Sequence, residues 1–210
     1  MKKIIRIATR KSPLALIQAN IVKHLLEQTN DFNTVDLIPM STSGDTATKE
    51  VFKARGGKGL FLKELEQSLL DDDADIAVHS LKDVPASLDK RFSLLTITER
   101  ADPSDVLISK KFKSIDSLPN GALIGTSSPR RIALLKAASN NIKIKEIRGN
   151  IQTRIDKLKN EDLDGIILAA AGIHRLSIDS DYSSKLPSDI FIPSAGQGVL
   201  CVEYLKKNKQ

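Results

Sequence analysis

Cysteine is nearly absent from the 210-residue chain: Cys201 stands alone, so no internal disulfide can form. Tryptophan is missing, and aromatic residues make up only 4%. Binding of single-stranded nucleic acid needs aromatic platforms interleaved with cations, and no such pattern occurs. The three histidines, His24, His79 and His174, are scattered without the ligand spacing of a zinc site. No apolar run approaches the roughly 20 residues that a bilayer-spanning helix needs. The opening Met1-Lys2-Lys3-Ile4-Ile5-Arg6 brings a charge straight back and lacks the apolar core of a secretory leader. These absences point to a cytoplasmic protein with no metal centre, no membrane partner and no nucleic-acid partner.

What is present is ordinary for a globular chain: 40% hydrophobic and 28% charged residues. Lys and Arg number 32 against 26 Asp and Glu, a net charge of +6. The lysines are spread over the whole length and read as a solvated surface. A nucleic-acid-binding protein is the reading that this charge alone would suggest. The arginines fall at particular places and read differently.

Short β-branched runs alternate with helical patterns from end to end, the grammar of an α/β fold. Strands are expected at 4–8, 35–40, 75–78, 106–109, 122–125, 142–147, 165–170 and 199–204. Helices are expected from Pro13 to about Glu27, around Phe61, Leu65 and Leu69, at 130–138 and at 151–158. The segment 41–48 reads as a polar loop, and 206–210 as a frayed tail. The apolar run 165–170 has the composition of a central parallel strand.

The first and middle parts of the chain echo each other. Thr9-Arg10-Lys11-Ser12-Pro13 follows one strand, and Thr126-Ser127-Ser128-Pro129 follows another. In both, Ser reads as an N-cap and Pro as the first helical residue. Two lobes are expected, each offering a helix N-terminus at the carboxyl ends of its strands, where open α/β sheets bind ligands and anions are favoured.

The candidate site residues sit at those strand ends and first helical turns. They are Arg10, Ser12, Lys58, Ser80, Lys82, Asp83, Thr126, Ser127, Ser128, Arg130, Arg131, Arg148, Arg154, Arg175 and Gln197. Cations and hydroxyls dominate, with Asp83 as the one carboxylate. Guanidinium forks suit carboxylates or phosphates. A single arginine here reads equally well as helix surface; five at one edge suggest a cleft for a polyanion, expected to hold them without native partners. Asp83 alone reads equally as a turn residue before Val84-Pro85. Gly56-Gly57-Lys58-Gly59 lacks Walker spacing, and neither a dinucleotide fingerprint nor a nucleophile elbow occurs.

Seven blocks of sequence resemble the porphobilinogen deaminase (hydroxymethylbilane synthase) family. They are IATRKSPLA (7–15), GGKGLFLKELE (56–66), DIAVHSLKDVP (75–85), GTSSPRR (125–131), IRGNIQTR (147–154), ILAAAGIHRL (167–176) and PSAGQG (193–198). They occur in order from residue 4 to about 204.

The resemblance implies two periplasmic-binding-protein-like lobes, each a mixed, mainly parallel sheet flanked by helices. Lobe one would be 1–98 plus 195–210, and lobe two 99–194. It implies a monomeric transferase of porphyrin (heme) biosynthesis that condenses four porphobilinogen units on a dipyrromethane cofactor, releasing ammonia each time. Asp83 matches the family's catalytic aspartate. It would stabilise the cationic azafulvene formed as ammonia leaves the substrate. The other fourteen candidates would bind the acetates and propionates of cofactor and substrate.

Two departures stand out. Ala54 occupies a place where some relatives have lysine, with Lys53 or Arg55 as the available substitutes. The family's C-terminal domain, which carries the cofactor-holding cysteine, has no counterpart in these 210 residues. Cys201, within a strand, reads as a buried structural thiol and not as the attachment point. The chain alone is therefore expected to carry no covalent dipyrromethane and to turn over little. The alternative is a non-catalytic homologue that binds polycarboxylates or pyrroles.

Overall fold

The computed structural model describes residues 4–46, 59, 61–139, 141–178 and 183–208. The chain divides into two compact units, Met1–Arg100 with Val199–Gln210, and Ala101–Gly198. Each contains one five-stranded mixed sheet.

In unit 1, β1 (Ile4–Arg10) leads through the N-cap Ser12 into α1 (Pro13–Gln28). Then come β2 (Thr34–Met40), the short α2 (Ser43–Thr46), α3 (Lys63–Leu70) and β3 (Ile76–Ser80). A 3₁₀ turn, Leu81–Asp83, precedes β4 (Phe92–Thr96). The last strand of the chain, β10 (Leu200–Leu205), returns to this unit. The sheet order is β2-β1-β3-β10-β4. Strands β1, β2 and β3 run parallel, and β10 lies antiparallel to both β3 and β4.

Alternation along the strands sorts the core onto two faces. Ile5, Ile7, Val35, Val78 and Val202 pack with Ala19 and Val22 of α1. Ala8, Ala77, Phe92 and Leu205 pack with Leu65 and Leu69 of α3. Those helix pairs are spaced three or four residues apart, so each helix turns one apolar stripe inward.

Unit 2 holds β5 (Asp105–Ser109), β6 (Leu123–Gly125), α4 (Pro129–Ala138), β7 (Lys143–Lys145) and α5 (Ile151–Asn160). It continues with β8 (Gly165–Ala169), α6 (Ala170–Arg175) and β9 (Ser183–Lys185). The order is β7-β6-β8-β5-β9. Here too one side of the sheet is parallel and the other antiparallel. The core again has two faces, with Ile108, Ile155, Ile166 and Leu168 on one and Leu107, Ile124, Leu135 and Ile167 on the other. Gly165 permits the tight centre of this sheet. A Cβ there would stand 2.8 Å from Leu107 Cδ1 and 3.2 Å from the Ile108 carbonyl.

Several sequence expectations need adjustment. Parallel pairing accounts for half of each sheet and not most of it, because β10 and β5 enter antiparallel. The apolar run read as a parallel strand is parallel only towards β6; it is antiparallel to β5, and Ala170 already begins α6. The polar loop 41–48 contains the helical turn Ser43–Thr46. Strands β4 and β9 and helix α6 add to the expected elements. Strand β9 is Ser-Ser-Lys, with little strand preference of its own; it forms where the edge of β5 offers backbone partners.

No helix among the described residues is long and apolar enough to cross a membrane.

Candidate functional site

Among the described residues, the candidates of each unit fall at the ends of its strands and the starts of its helices, and the two sets differ in chemistry.

In unit 1, Ser12 caps α1 by accepting a hydrogen bond from the Ala15 N–H at 3.4 Å. The preceding residues place Arg10 at the end of β1, where its guanidinium lies 3.9 Å from the centre of the Phe61 ring. The neighbouring β3 ends at Ser80, whose hydroxyl accepts from Gln18 Nε2 of α1 at 2.9 Å. The chain then tightens into the 3₁₀ turn that carries Lys82 and Asp83. Arg10, Ser12, Gln18, Phe61, Ser80 and Asp83 all line one small pocket of about 60 Å³. No hydrogen bond to the Asp83 carboxylate occurs among the described residues. Lys58 lies outside those residues, as do Lys53, Ala54 and Arg55.

In unit 2 the hydroxyls are occupied locally. Thr126 Oγ1 accepts from the Ser128 N–H, Ser127 Oγ donates to the Ile147 carbonyl at 2.6 Å, and Ser128 caps α4 by accepting from the Arg131 N–H. These three hydroxyls shape the turn into α4. Asn150 caps α5 in the same way, accepting from Thr153. Gly149, at φ +111°, turns the chain beside it, and a Cβ there would strike Thr153 at 2.7 Å. Arg154 Nε donates to the Gly149 carbonyl at 2.9 Å, which ties the first turn of α5 back to the Gly149 bend.

The arginine pair of α4 overturns one expectation. Cleft arginines were expected to lack native partners, and Asp83 to be the one acid among them. Instead Asp105, at the start of β5 and fully buried, receives Arg131 Nε at 3.2 Å and Nη2 at 2.8 Å on Oδ1. Arg130 Nη1 forms an ion pair with Oδ2 at 2.7 Å and also donates to the Ile192 carbonyl. Arg131 Nη1 donates to the Ile167 carbonyl, and only 8% of its side chain is exposed, against 26% for Arg130. Arg131 is thus built into the core, whereas Arg130 still reaches solvent.

Burial pushes the Asp105 carboxyl upward, but Arg130 and Arg131 outweigh it and hold the group below its ordinary value. Burial lowers the Arg131 guanidinium below its ordinary value, with Asp105 opposing the shift; a guanidinium of this kind stays charged. One carboxylate against two guanidiniums leaves this edge with a net positive charge.

Gln197 is also interior. Its Nε2 donates to the Pro103 carbonyl at 2.6 Å and to Asp105 Oδ1 at 2.9 Å, which ties the 194–198 segment to unit 2. Arg175, half-buried and with its proton affinity lowered by burial, donates to the Gly198 carbonyl at 3.2 Å.

Sequence reasoning passed over Asp105, His79 and Glu203. A signal existed for the first and last. Asp105 opens a strand that is otherwise apolar up to Ser109, and Glu203 interrupts the strand LCVEYL. An acid buried in such a run requires a cationic or hydrogen-bonding partner.

Cys201 is fully buried, and its Sγ–H points to the His79 carbonyl at 3.7 Å. Burial, then the charges of Glu203 and Asp83, push the thiol up to about 12. A group so protonated and enclosed does not fit a thioether attachment point.

The fold belongs to a known class. It is shared with a putative lipoprotein of Clostridium difficile 630 (TM-score 0.58, 12% identity, 99% of this chain and 85% of that one). It is shared also with the probable amino-acid ABC transporter extracellular-binding protein of Bacillus subtilis (TM-score 0.55, 13% identity, 100% and 86%). This is the two-lobe architecture of periplasmic binding proteins.

Within that architecture the sequence is more specific. Residues 5–210 match the family model described as porphobilinogen deaminase, dipyromethane cofactor binding domain. Porphobilinogen deaminase of Legionella pneumophila strain Paris is 51% identical over 201 residues, and that of strain Philadelphia 1 is 50% identical. Both alignments cover 96% of this chain and 65% of the relative. The chain belongs to the porphobilinogen deaminase family.

Proposed function

We propose that the chain carries the catalytic carboxylate and the anion-binding arginines of a hydroxymethylbilane synthase, which condenses porphobilinogen units with loss of ammonia. The observation that carries this reading is the Asp83 pocket. It brings the one candidate acid of unit 1 into a common lining with Arg10 and Ser12, at the carboxyl ends of β1 and β3.

The donor set suits the ligands. Dipyrromethane bears acetates and propionates, and Arg130, Arg148, Arg154 and Arg175 supply guanidiniums of matching chemistry on unit 2. Arg131 acts differently, by anchoring the α4 terminus to Asp105 so that Arg130 is presented in a fixed direction. When bound, dipyrromethane supplies the pyrrole carbon from which the product chain grows. Asp83 would supply the negative charge that stabilises the positive charge developing as ammonia leaves the substrate. It also accepts a proton in the rearomatising step. Cys201 takes no part.

Porphobilinogen-dependent ammonia release, measured on the protein in its full length, tests the reading. Release that depends on Asp83 supports it. Tight binding of linear pyrroles without ammonia release identifies a binding homologue and overturns it.

A further inference from the structure

Gln18 sits on the inward stripe of α1 with Ala19 and Val22, and is only 5% exposed. Its Nε2 donates to the Ser80 hydroxyl oxygen at 2.9 Å, a bond that joins α1 to the end of β3, 62 residues further along the chain. Both residues line the pocket that also contains Arg10, Ser12 and Asp83.

An apolar residue of similar length would fill this place in the helix without burying an amide, whose burial is costly unless it is hydrogen-bonded. The bond to Ser80 offsets that cost, and it sets the polarity of the hydroxyl. A serine hydroxyl has one hydrogen to donate and two lone pairs with which to accept. With one lone pair occupied by Gln18, the O–H is turned away from the amide, and no described residue accepts it. Ser12 is in the same condition. Its oxygen accepts from the Ala15 N–H, and its O–H has no acceptor among the described residues. The pocket thus offers two O–H donors beside the Arg10 guanidinium, a set that matches the oxygens of a carboxylate. Asp83 brings the opposite charge to the same lining, so a ligand that carries both a carboxylate and an N–H group finds a partner for each.

We propose that Gln18 is a positioning residue that fixes Ser80 as a hydrogen-bond donor to a carboxylate of the bound pyrrole. The proposal rests on the functional reading above and names the substrate group that this side of the pocket takes. Gln18 acts through Ser80, and its own contact with the ligand is not required. Without the amide the hydroxyl rotates, and its hydrogen is no longer held towards the ligand.

The test uses the full-length, dipyrromethane-loaded protein with porphobilinogen as the probe. All variants carry Asp83→Asn, so that binding is read by calorimetry without turnover. Ser80→Ala should weaken binding by roughly tenfold to a hundredfold, the range for a hydrogen bond to a charged group. Gln18→Met keeps the volume and helix preference of the side chain. It should weaken binding about fivefold, and less than about twofold once Ser80→Ala has removed the hydroxyl to be oriented. A purely structural role would lower stability and leave the two substitutions additive in binding. Gln18→Leu takes the place of Gln18→Met if that variant fails to fold.

Unchanged binding in Ser80→Ala overturns the proposal, as does a Gln18→Met effect that is the same with and without the Ser80 hydroxyl. Tighter binding in Gln18→Met overturns it too, because Ser80 would then have been donating to the amide. If the binding cycle couples as stated and the protein without Asp83→Asn releases no ammonia, the functional reading falls while the Gln18–Ser80 assignment stands.

Discussion

The two units use one local device and put opposite charges on it. In unit 1 a strand, a Ser N-cap and Pro13 start α1; in unit 2 a strand, a Ser N-cap and Pro129 start α4. The capping bonds are alike, Ser12 to the Ala15 N–H and Ser128 to the Arg131 N–H, both at 3.4 Å. What surrounds them differs. Beside the first start lies a pocket with an acid, Asp83, whose carboxylate no described residue bonds. Beside the second lie two arginines, and the acid there, Asp105, is ion-paired with both and also receives Gln197. An acid left unengaged is available for chemistry, whereas an acid that four donors reach is part of the framework. Identical backbone grammar therefore marks equivalent places in the two sheets, and the partners of each charge distinguish them.

Removing each acid should break this contrast most clearly. Asp105→Ala leaves Arg131 buried without its counter-charge, and loss of one partner of a buried pair costs about 3–5 kcal/mol. Chemical denaturation should show that loss, centred on unit 2. Only a cost below about 1 kcal/mol would place Asp105 outside the framework.

Asp83→Asn should behave in the opposite way. Its stability should stay within about 0.5 kcal/mol of wild type, because no hydrogen bond from another described residue reaches its carboxylate. Its turnover should fall at least about a hundredfold, equivalent to about 2.7 kcal/mol of barrier. Near-normal ammonia release from that variant would remove Asp83 from the reaction.

Most of this contrast, though not its decisive half, can be read in the sequence. The two Ser-Pro starts are local signals, because cap and proline chemistry act within four residues. Asp83, Arg130 and Arg131 likewise stand out in the sequence as charges at a strand end and a first helical turn. The pairing of Asp105 with α4 spans 26 residues, and that of His79 with Glu203 spans 124. Sequence pattern carries no information on such distances; only the sheet order, with β5 two strands from β6 and β10 beside β3, brings them together. For the same reason Arg131 and Gln197 read as ligand-facing from sequence and are interior in the fold. Strands β4 and β9 escaped because edge strands are held by their neighbours' backbones more than by their own composition.

Acid should separate the units next. Lys185, then Ser104, hold Asp102 at about 2 against an ordinary 3.8, and Asp105 is likewise held low. A carboxyl depressed in the folded state contributes stability in full above its unfolded value. That contribution is lost as pH falls through the folded value. Unit 2 should therefore loosen as pH drops from about 3.8 towards about 2. In unit 1 the comparably depressed Asp89, also about 2, is fully exposed and pairs with Arg91 at the surface, where such pairs contribute little. Hydrogen exchange followed by mass spectrometry should show peptides of residues 101–178 losing protection before those of residues 4–46. Simultaneous loss would mean that the acid response does not arise from the Asp102 and Asp105 pairings.

The smallest effect is the sharpest comparison, because it isolates what the shared device does from what its surroundings add. Ser12→Ala and Ser128→Ala each remove one capping hydroxyl, at a typical cost of about 1 kcal/mol. At Ser12 the loss is confined to the first turn of α1, since the bonded N–H belongs to Ala15. At Ser128 the bonded N–H belongs to Arg131, whose guanidinium carries two of the bonds to Asp105. Loosening that backbone also loosens the ion pair, so Ser128→Ala should cost more than Ser12→Ala. The excess should vanish in an Asp105→Asn background, where the pair is already broken, whereas the Ser12 cost should stay the same. A double-mutant cycle measures this directly, with coupling of about 0.5 kcal/mol or more for residues in one network. Equal costs at the two serines, unaffected by Asp105→Asn, would mean that Asp105 alone places Arg131 and that the cap serves only its helix.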